Sequence, residues 1–175
     1  MKPKRLSRTV IYENPWVSLY VDKVRFPGGR IIERHHVLEF EKEAVAVVVE
    51  NDHGQVLLVH VYRYTTGSIE WEVPAGIIEP GESILEAAER EVREESGYDT
   101  CDHEWVYTFH PMNGIANKVF HVARSRATQG TGVFDQNEVQ AYKWVSREEI
   151  RAMIADRSLK DGYTLTALLL YLTSD

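Results

Sequence analysis

The sequence predicts an α/β fold with a mixed sheet, and three observations carry that prediction. β-branched runs recur between turn signals, two Ser-x-x-Glu capping boxes open helical patterns, and neither a regular βαβ repeat nor a long linker divides the chain. The 175 residues suit one compact unit with a sizeable core.

Val17, Leu19 and Val21 alternate with polar residues, and Pro27-Gly28-Gly29 separates them from an extended stretch Ile31 to Phe40, so a hairpin is expected over 16–40 with Trp16 at its start. Ahead of it, Lys2, Lys4, Arg5 and Arg8 form the only basic cluster and read as a solvated tail. Core strands follow at Ala44 to Glu50 and Gln55 to Tyr62, separated by the turn Asn51-Asp52-His53-Gly54. A short strand at 69–73 ends at Pro74-Ala75-Gly76, and Ile77 to Gly81 reads as a loop.

Ser83 and Glu86 then form a capping box, Ile84, Leu85, Ala88 and Val92 recur at helical spacing, and Gly97 suits a left-handed C-terminal cap, which gives a helix over 83–96. Further strands are expected at 104–109, 118–124 and 139–145, with loops at Pro111 to Asn117 and Gly130 to Asn137. Ser146 and Glu149 open a second helix reaching Asp156, and Asp161-Gly162 interrupts the chain before a last helix carrying Leu165, Leu168, Leu169 and Leu172.

Composition narrows the function. With 43% apolar and 27% charged residues the chain is neither disordered nor low-complexity. Twenty Lys and Arg against 27 Asp and Glu leave a net charge of −7, which opposes nucleic-acid binding and implies that a phosphate ligand needs a bridging cation. The single cysteine, Cys101, permits no internal disulfide and fits a reducing cytoplasm. The longest apolar runs, Ala44 to Val49 and Ala167 to Leu172, fall far short of the roughly 20 residues that span a bilayer, and no secretory leader follows Met1, so no membrane association is expected.

The chemistry concentrates on the helix at 83–96. On a helical wheel Ile84, Ala88 and Val92 mark the buried stripe, Glu91 lies at its edge and Glu95 inside it, while Glu86, Glu89 and Arg93 face solvent. Two buried carboxylates at i and i+4, with Glu94 beside them, repel one another and lose hydration, so they require protonation, a partner or a cation. Oxygen ligands favour a hard ion, Mg²⁺ or Mn²⁺, whereas the seven histidines form no zinc pattern, His35 and His36 being adjacent on an expected strand.

The run from Gly76 through Glu82 to Arg90-Glu91-Val92-Arg93-Glu94-Glu95-Ser96-Gly97-Tyr98 resembles the Nudix box, G-x5-E-x7-R-E-U-x-E-E-x-G-U, with U a bulky apolar residue, and departs from it only in having Tyr98 where an aliphatic residue is commoner. Arg63, in Val61-Tyr62-Arg63-Tyr64, and the stretch Glu70-Trp71-Glu72-Val73-Pro74-Ala75-Gly76 are similar to the arginine-bearing strand and the E-x-P-A-G approach of the ADP-ribose and ADP-sugar pyrophosphatase branch, and Pro111 to that branch's marker proline. The resemblance implies an α/β/α Nudix sandwich over 43–175, an N-terminal hairpin region over 1–42 that contacts a second subunit, and hydrolysis of a nucleoside diphosphate sugar. It further implies Mg²⁺, with Mn²⁺ as the alternative, held by Glu91, Glu95, Glu94 and the Ala75 carbonyl, and Arg90 orienting the glutamates. Glu138, in the acidic segment Asp135-Gln136-Asn137-Glu138, is the expected general base, with Glu94 next in line. Arg63 either contacts phosphate or pairs with Glu70 or Glu72, and Trp16 either stacks on a base or packs in the core. Glu72 and Gly76 complete the expected substrate contacts.

Overall fold

A computed structural model describes residues 1–174 and divides the chain into two compact units, one of residues 1–43 and 110–119, the other of residues 44–109 and those from 120 onward. The first is built on a three-stranded antiparallel sheet of β1 (Lys4–Tyr12), β2 (Ser18–Arg25) and β3 (Ile31–Glu39), with β2 in the middle. The expected hairpin is β2–β3, closed by Phe26 N–H to the Arg30 carbonyl at 2.8 Å. The basic segment is not a solvated tail. It is strand β1, because Arg8 forks onto both carboxylate oxygens of Asp22 at 2.8 Å, also reaches Glu39, and lies over the Tyr20 ring at 4.1 Å. These partners lie far along the chain, so local pattern does not reveal them.

The second unit holds a seven-stranded mixed sheet, with β10 (Val139–Val145), β5 (Val56–Arg63), β4 (Ala44–Glu50), β9 (Phe120–Gly130) and β8 (Tyr98–Phe109) in that order. β4 runs parallel to β9 and is buried from Ala44 to Val49, as a strand covered on both faces must be. Val45, Val47 and Val49 pack with Ala87, Ala88 and Val92 of α1 (Ile84–Ser96). The alternate residues Ala44, Ala46 and Val48 pack with Ile150 of α2 (Arg147–Ala155) and with Ala167, Leu168 and Tyr171 of α3 (Gly162–Thr173). The result is an α/β/α sandwich. β4 and β5 share only the Glu50–Val56 pairing, and the fork between them is filled by β6 (Ser68–Glu72) on β5 and β7 (Ala75–Ile77) on β4. β7 takes the start of the segment expected as loop, because three of its residues find partners on β4. No helix among the described residues is long and apolar enough to cross a membrane.

Candidate active site

The fork in the sheet delivers β7 to the start of α1, and both ends of that helix are fixed locally. The Ser83 hydroxyl accepts the Glu86 N–H at 3.2 Å and the Glu86 carboxylate accepts the Ser83 N–H at 2.7 Å, and Gly97 closes the helix at φ 72°, where a side chain would be strained. That register turns Glu91 and Glu95 inward, at 8% and 6% exposure, and leaves Glu86 and Glu94 exposed and Glu89 half-buried against Arg93.

Arg90 organises the approach. Its Nε and Nη2 clasp both oxygens of Glu82 at 2.7 and 2.9 Å, Nη2 also donates to the Ile77 carbonyl at 2.9 Å, and Nη1 reaches Glu91 at 2.8 Å and Glu94 at 3.2 Å. Paired this way, Glu82 is held down at about 2. Glu95 accepts the Ala75 N–H at 3.1 Å, so the loop residue expected to offer its carbonyl already touches the helix through its amide. A Cβ at Gly76 would lie 1.9 Å from the nearer Glu91 oxygen, so any side chain there displaces that carboxylate.

The inner carboxylates are poorly matched with positive charge. Burial lifts Glu91 above the ordinary carboxylate range, opposed mainly by Arg90. Burial and then the charge of Glu91 push Glu95 up to about 8, with the Ala75 amide and Arg63 offsetting only part. Among the described residues no three His, Cys, Asp or Glu side chains gather closely enough to hold an ion, and Arg90 takes up an oxygen each of Glu91 and Glu94. The donor set nevertheless fits a hard cation: all-oxygen, buried, mutually repelling, and set against a glycine that leaves the backbone bare.

Arg63 takes one of the two alternatives left open by sequence. Its Nε donates to Glu72 at 2.9 Å and its Nη2 to the second oxygen of the same carboxylate, which is 2% exposed. Glu70, on the same strand face, is buried, and its carboxylate makes no hydrogen bond or ion pair among the described residues. Glu138 is exposed on the β9–β10 loop, yet its charge acts on both Glu91 and Glu95. Trp16 belongs to the N-terminal unit, where its indole is 67% exposed with the Lys42 ammonium 5.7 Å from the ring centre, so it is not core.

Sequence reading missed the bonds that bind the β9–β10 loop to α1. Thr131 donates through its N–H and its hydroxyl to the Gly97 carbonyl at 2.8 and 3.1 Å, and the Asp135 N–H donates to the Glu94 carbonyl at 2.9 Å. The available signal was Asp135-Gln136-Asn137, an Asp two residues before a donor, which suits an Asx turn.

The class so defined is an α/β/α sandwich whose sheet fork presents a glutamate-lined helix. Residues 41–166 match the NUDIX domain family, and residues 3–38 match the nucleoside diphosphate sugar hydrolase N-terminal domain. The chain belongs to the Nudix family and is a Nudix hydrolase, of a family that generally acts with divalent metal ions. It is 26% identical over 171 residues to an ADP-ribose pyrophosphatase of Bacillus subtilis, covering 96% of this chain and 91% of the relative. It is 40% identical over 118 residues to an ADP-ribose pyrophosphatase of Mycobacterium tuberculosis, covering 67% and 56%. A crystal structure of an ADP compounds hydrolase shares the fold with TM-score 0.87 at 21% identity, over 98% of this chain and 92% of that one.

Proposed function

We propose that this protein hydrolyses the pyrophosphate bond of a nucleoside diphosphate sugar, with ADP-ribose the first candidate, giving a nucleoside monophosphate and a sugar phosphate. The observation that carries the reading is the buried pair Glu91 and Glu95, left short of positive charge beside the bare backbone of Gly76. Glu91 and Glu95, with Glu94 and the Ala75 carbonyl, would hold Mg²⁺ or Mn²⁺. Bound there, the cation supplies positive charge against the pyrophosphate oxygens and acidifies water. Arg90 sets the orientation of Glu91 and Glu94 and keeps Glu82 at the loop, so its role is in support of the carboxylates. Glu138 takes the proton from water as the water oxygen bonds to one phosphorus of the pyrophosphate, the bridging P–O bond breaks, and the bridging oxygen leaves with the electron pair on the other phosphate. Arg63, locked to Glu72 through Nε and Nη2, has Nη1 left to meet a phosphate oxygen, and the exposed Trp16 face suits a nucleobase.

The N-terminal region 1–42 serves as a contact with a second copy. Val10, Ile11 and Tyr12 lie exposed along the outer strand β1, an apolar row that pairing would cover. The single cysteine suits a cytoplasmic enzyme. The deciding experiment is a hydrolysis screen of nucleotide sugars, dinucleotides, nucleoside triphosphates and capped RNA with Mg²⁺, with products identified by mass. Preferential cleavage of ADP-ribose or another nucleotide sugar is expected; faster turnover of triphosphates, dinucleotides or capped RNA overturns the substrate class. Light scattering at micromolar concentration tests the dimer, and a monomer there refutes it.

A further inference from the structure

We propose that Asp135 is the positioning residue for Glu138, its carboxylate closing the turn whose backbone fastens the base-bearing loop to the carbonyl end of α1; the proposal rests on the reading of Glu138 as the general base. Every polar group of Asp135 except one carboxylate oxygen is engaged in this task. Its N–H donates to the Glu94 carbonyl at 2.9 Å, and its own carbonyl accepts the N–H groups of Glu138 at 3.3 Å and Val139 at 3.0 Å. Its Oδ1 accepts both the backbone N–H and the side-chain amide of Asn137 at 2.8 Å. Two hydrogen bonds through one residue therefore separate the backbone of Glu94, on the helix of the inner carboxylates, from the backbone of Glu138.

The arrangement has a physical cause at each end. The last carbonyls of an α-helix lack intrahelical partners, and Glu94 offers one of them. Thr131 fills the Gly97 carbonyl in the same way and anchors the start of the loop. Around the acidic segment, Phe134 meets Tyr142 edge-on at 5.7 Å and Val139 is buried with Val59 and Val61, so apolar contacts hold both flanks to the sheet. Between those flanks Asp135, Gln136, Asn137 and Glu138 are exposed, and among the described residues the hydrogen bonds that order them are those made by Asp135. A base displaced by about 1 Å from its water loses up to roughly 100-fold in rate, so an exposed base depends on such a fastening.

The test compares Asp135→Ala, Asp135→Asn, Glu138→Gln and the double variant Asp135→Ala/Glu138→Gln in the full-length enzyme with Mg²⁺ and ADP-ribose, or the preferred substrate of the screen. Asp135→Ala, which keeps the backbone groups but removes the acceptor that closes the turn on Asn137, should lower kcat roughly 10- to 100-fold with KM near wild type, and keep the acid limb of the pH profile because the Glu138 carboxylate is still present. Asp135→Asn, which retains an acceptor oxygen, should recover most of the rate. The double variant should be no slower than Glu138→Gln alone, and hydrogen exchange over 131–139 should quicken in Asp135→Ala. Gln136→Ala should match wild type. If Asp135→Ala does not fold, Asn137→Ala removes the side-chain amide's bond to Oδ1, leaves the backbone one, and should move kcat in the same direction by less. Turnover within threefold of wild type in Asp135→Ala while Glu138→Gln is crippled overturns the fastening role alone. Full turnover in Glu138→Gln overturns the base assignment and this proposal with it, and additive losses in the double variant refute action through Glu138.

Discussion

Buried carboxylates occur in both units of this chain and meet opposite fates. In the N-terminal sheet Asp22 is 4% exposed and forked by Arg8, whose hydrogen bonds hold its carboxyl below the usual range. On α1, Glu95 is comparably buried but shares its surroundings with Glu91 and is pushed up to about 8. A carboxylate serving the fold is neutralised by the chain itself; one kept short of charge by the chain is fitted to a charge from outside. The same contrast separates the two sides of α1. Glu89 meets Arg93 at 2.8 Å near solvent, whereas among the described residues Glu95 is favoured in its charged form by the Ala75 amide and the Arg63 guanidinium alone.

The largest effect expected from this contrast is on turnover. Glu91→Gln and Glu95→Gln should each lower kcat by more than about 100-fold, since even supporting residues of a metal site cost roughly 10- to 100-fold. The metal-free Glu95→Gln protein should melt no lower than wild type, because glutamine has neither a charge to bury nor a proton to take up on folding; a large fall in its melting temperature would break the comparison. In the N-terminal unit the cost should fall on the fold: Arg8→Met leaves Asp22 buried without its partner and should destabilise by about 3 kcal/mol in denaturant titration. Gly76→Ala should come next, lowering kcat roughly tenfold or more as the new methyl displaces the Glu91 carboxylate.

The pH dependence of the two carboxylates should also run in opposite directions. Asp22, with its pKa lowered, contributes stability that is present above the ordinary carboxylate range and lost as pH falls through its depressed pKa. Glu95 holds its proton more tightly folded than unfolded, so its contribution is present below 4.5 and is lost as pH rises to about 8. Metal-free wild type should therefore show a stability loss over that window which Glu95→Gln reduces. Mg²⁺ uptake at pH 7 should release up to one proton, read by calorimetry in buffers of different ionisation enthalpy. The smallest effect belongs to the outer face: Glu86→Gln preserves the capping box and Glu89→Gln removes one surface pair, so both should leave kcat within twofold of wild type.

Much of this was legible in local pattern. The two capping boxes, Gly97, the β-branched strands and the inward turn of Glu91 and Glu95 follow from periodicities of a few residues, which are set by backbone geometry and burial and need no distant partner. The glutamate spacing also showed that two carboxylates one turn apart face inward, where they are costly unless protonated, paired or given a cation. Only the tertiary structure decided that the basic N-terminal segment is strand β1, since Arg8 acquires its meaning from Asp22 and Glu39 on other strands. It alone chose Glu72 as the partner of Arg63, and it alone fastened Asp135 to the carbonyl end of α1. In each case the deciding bond joins residues remote in sequence, and their meeting depends on how strands register and how a loop returns, which no local periodicity encodes.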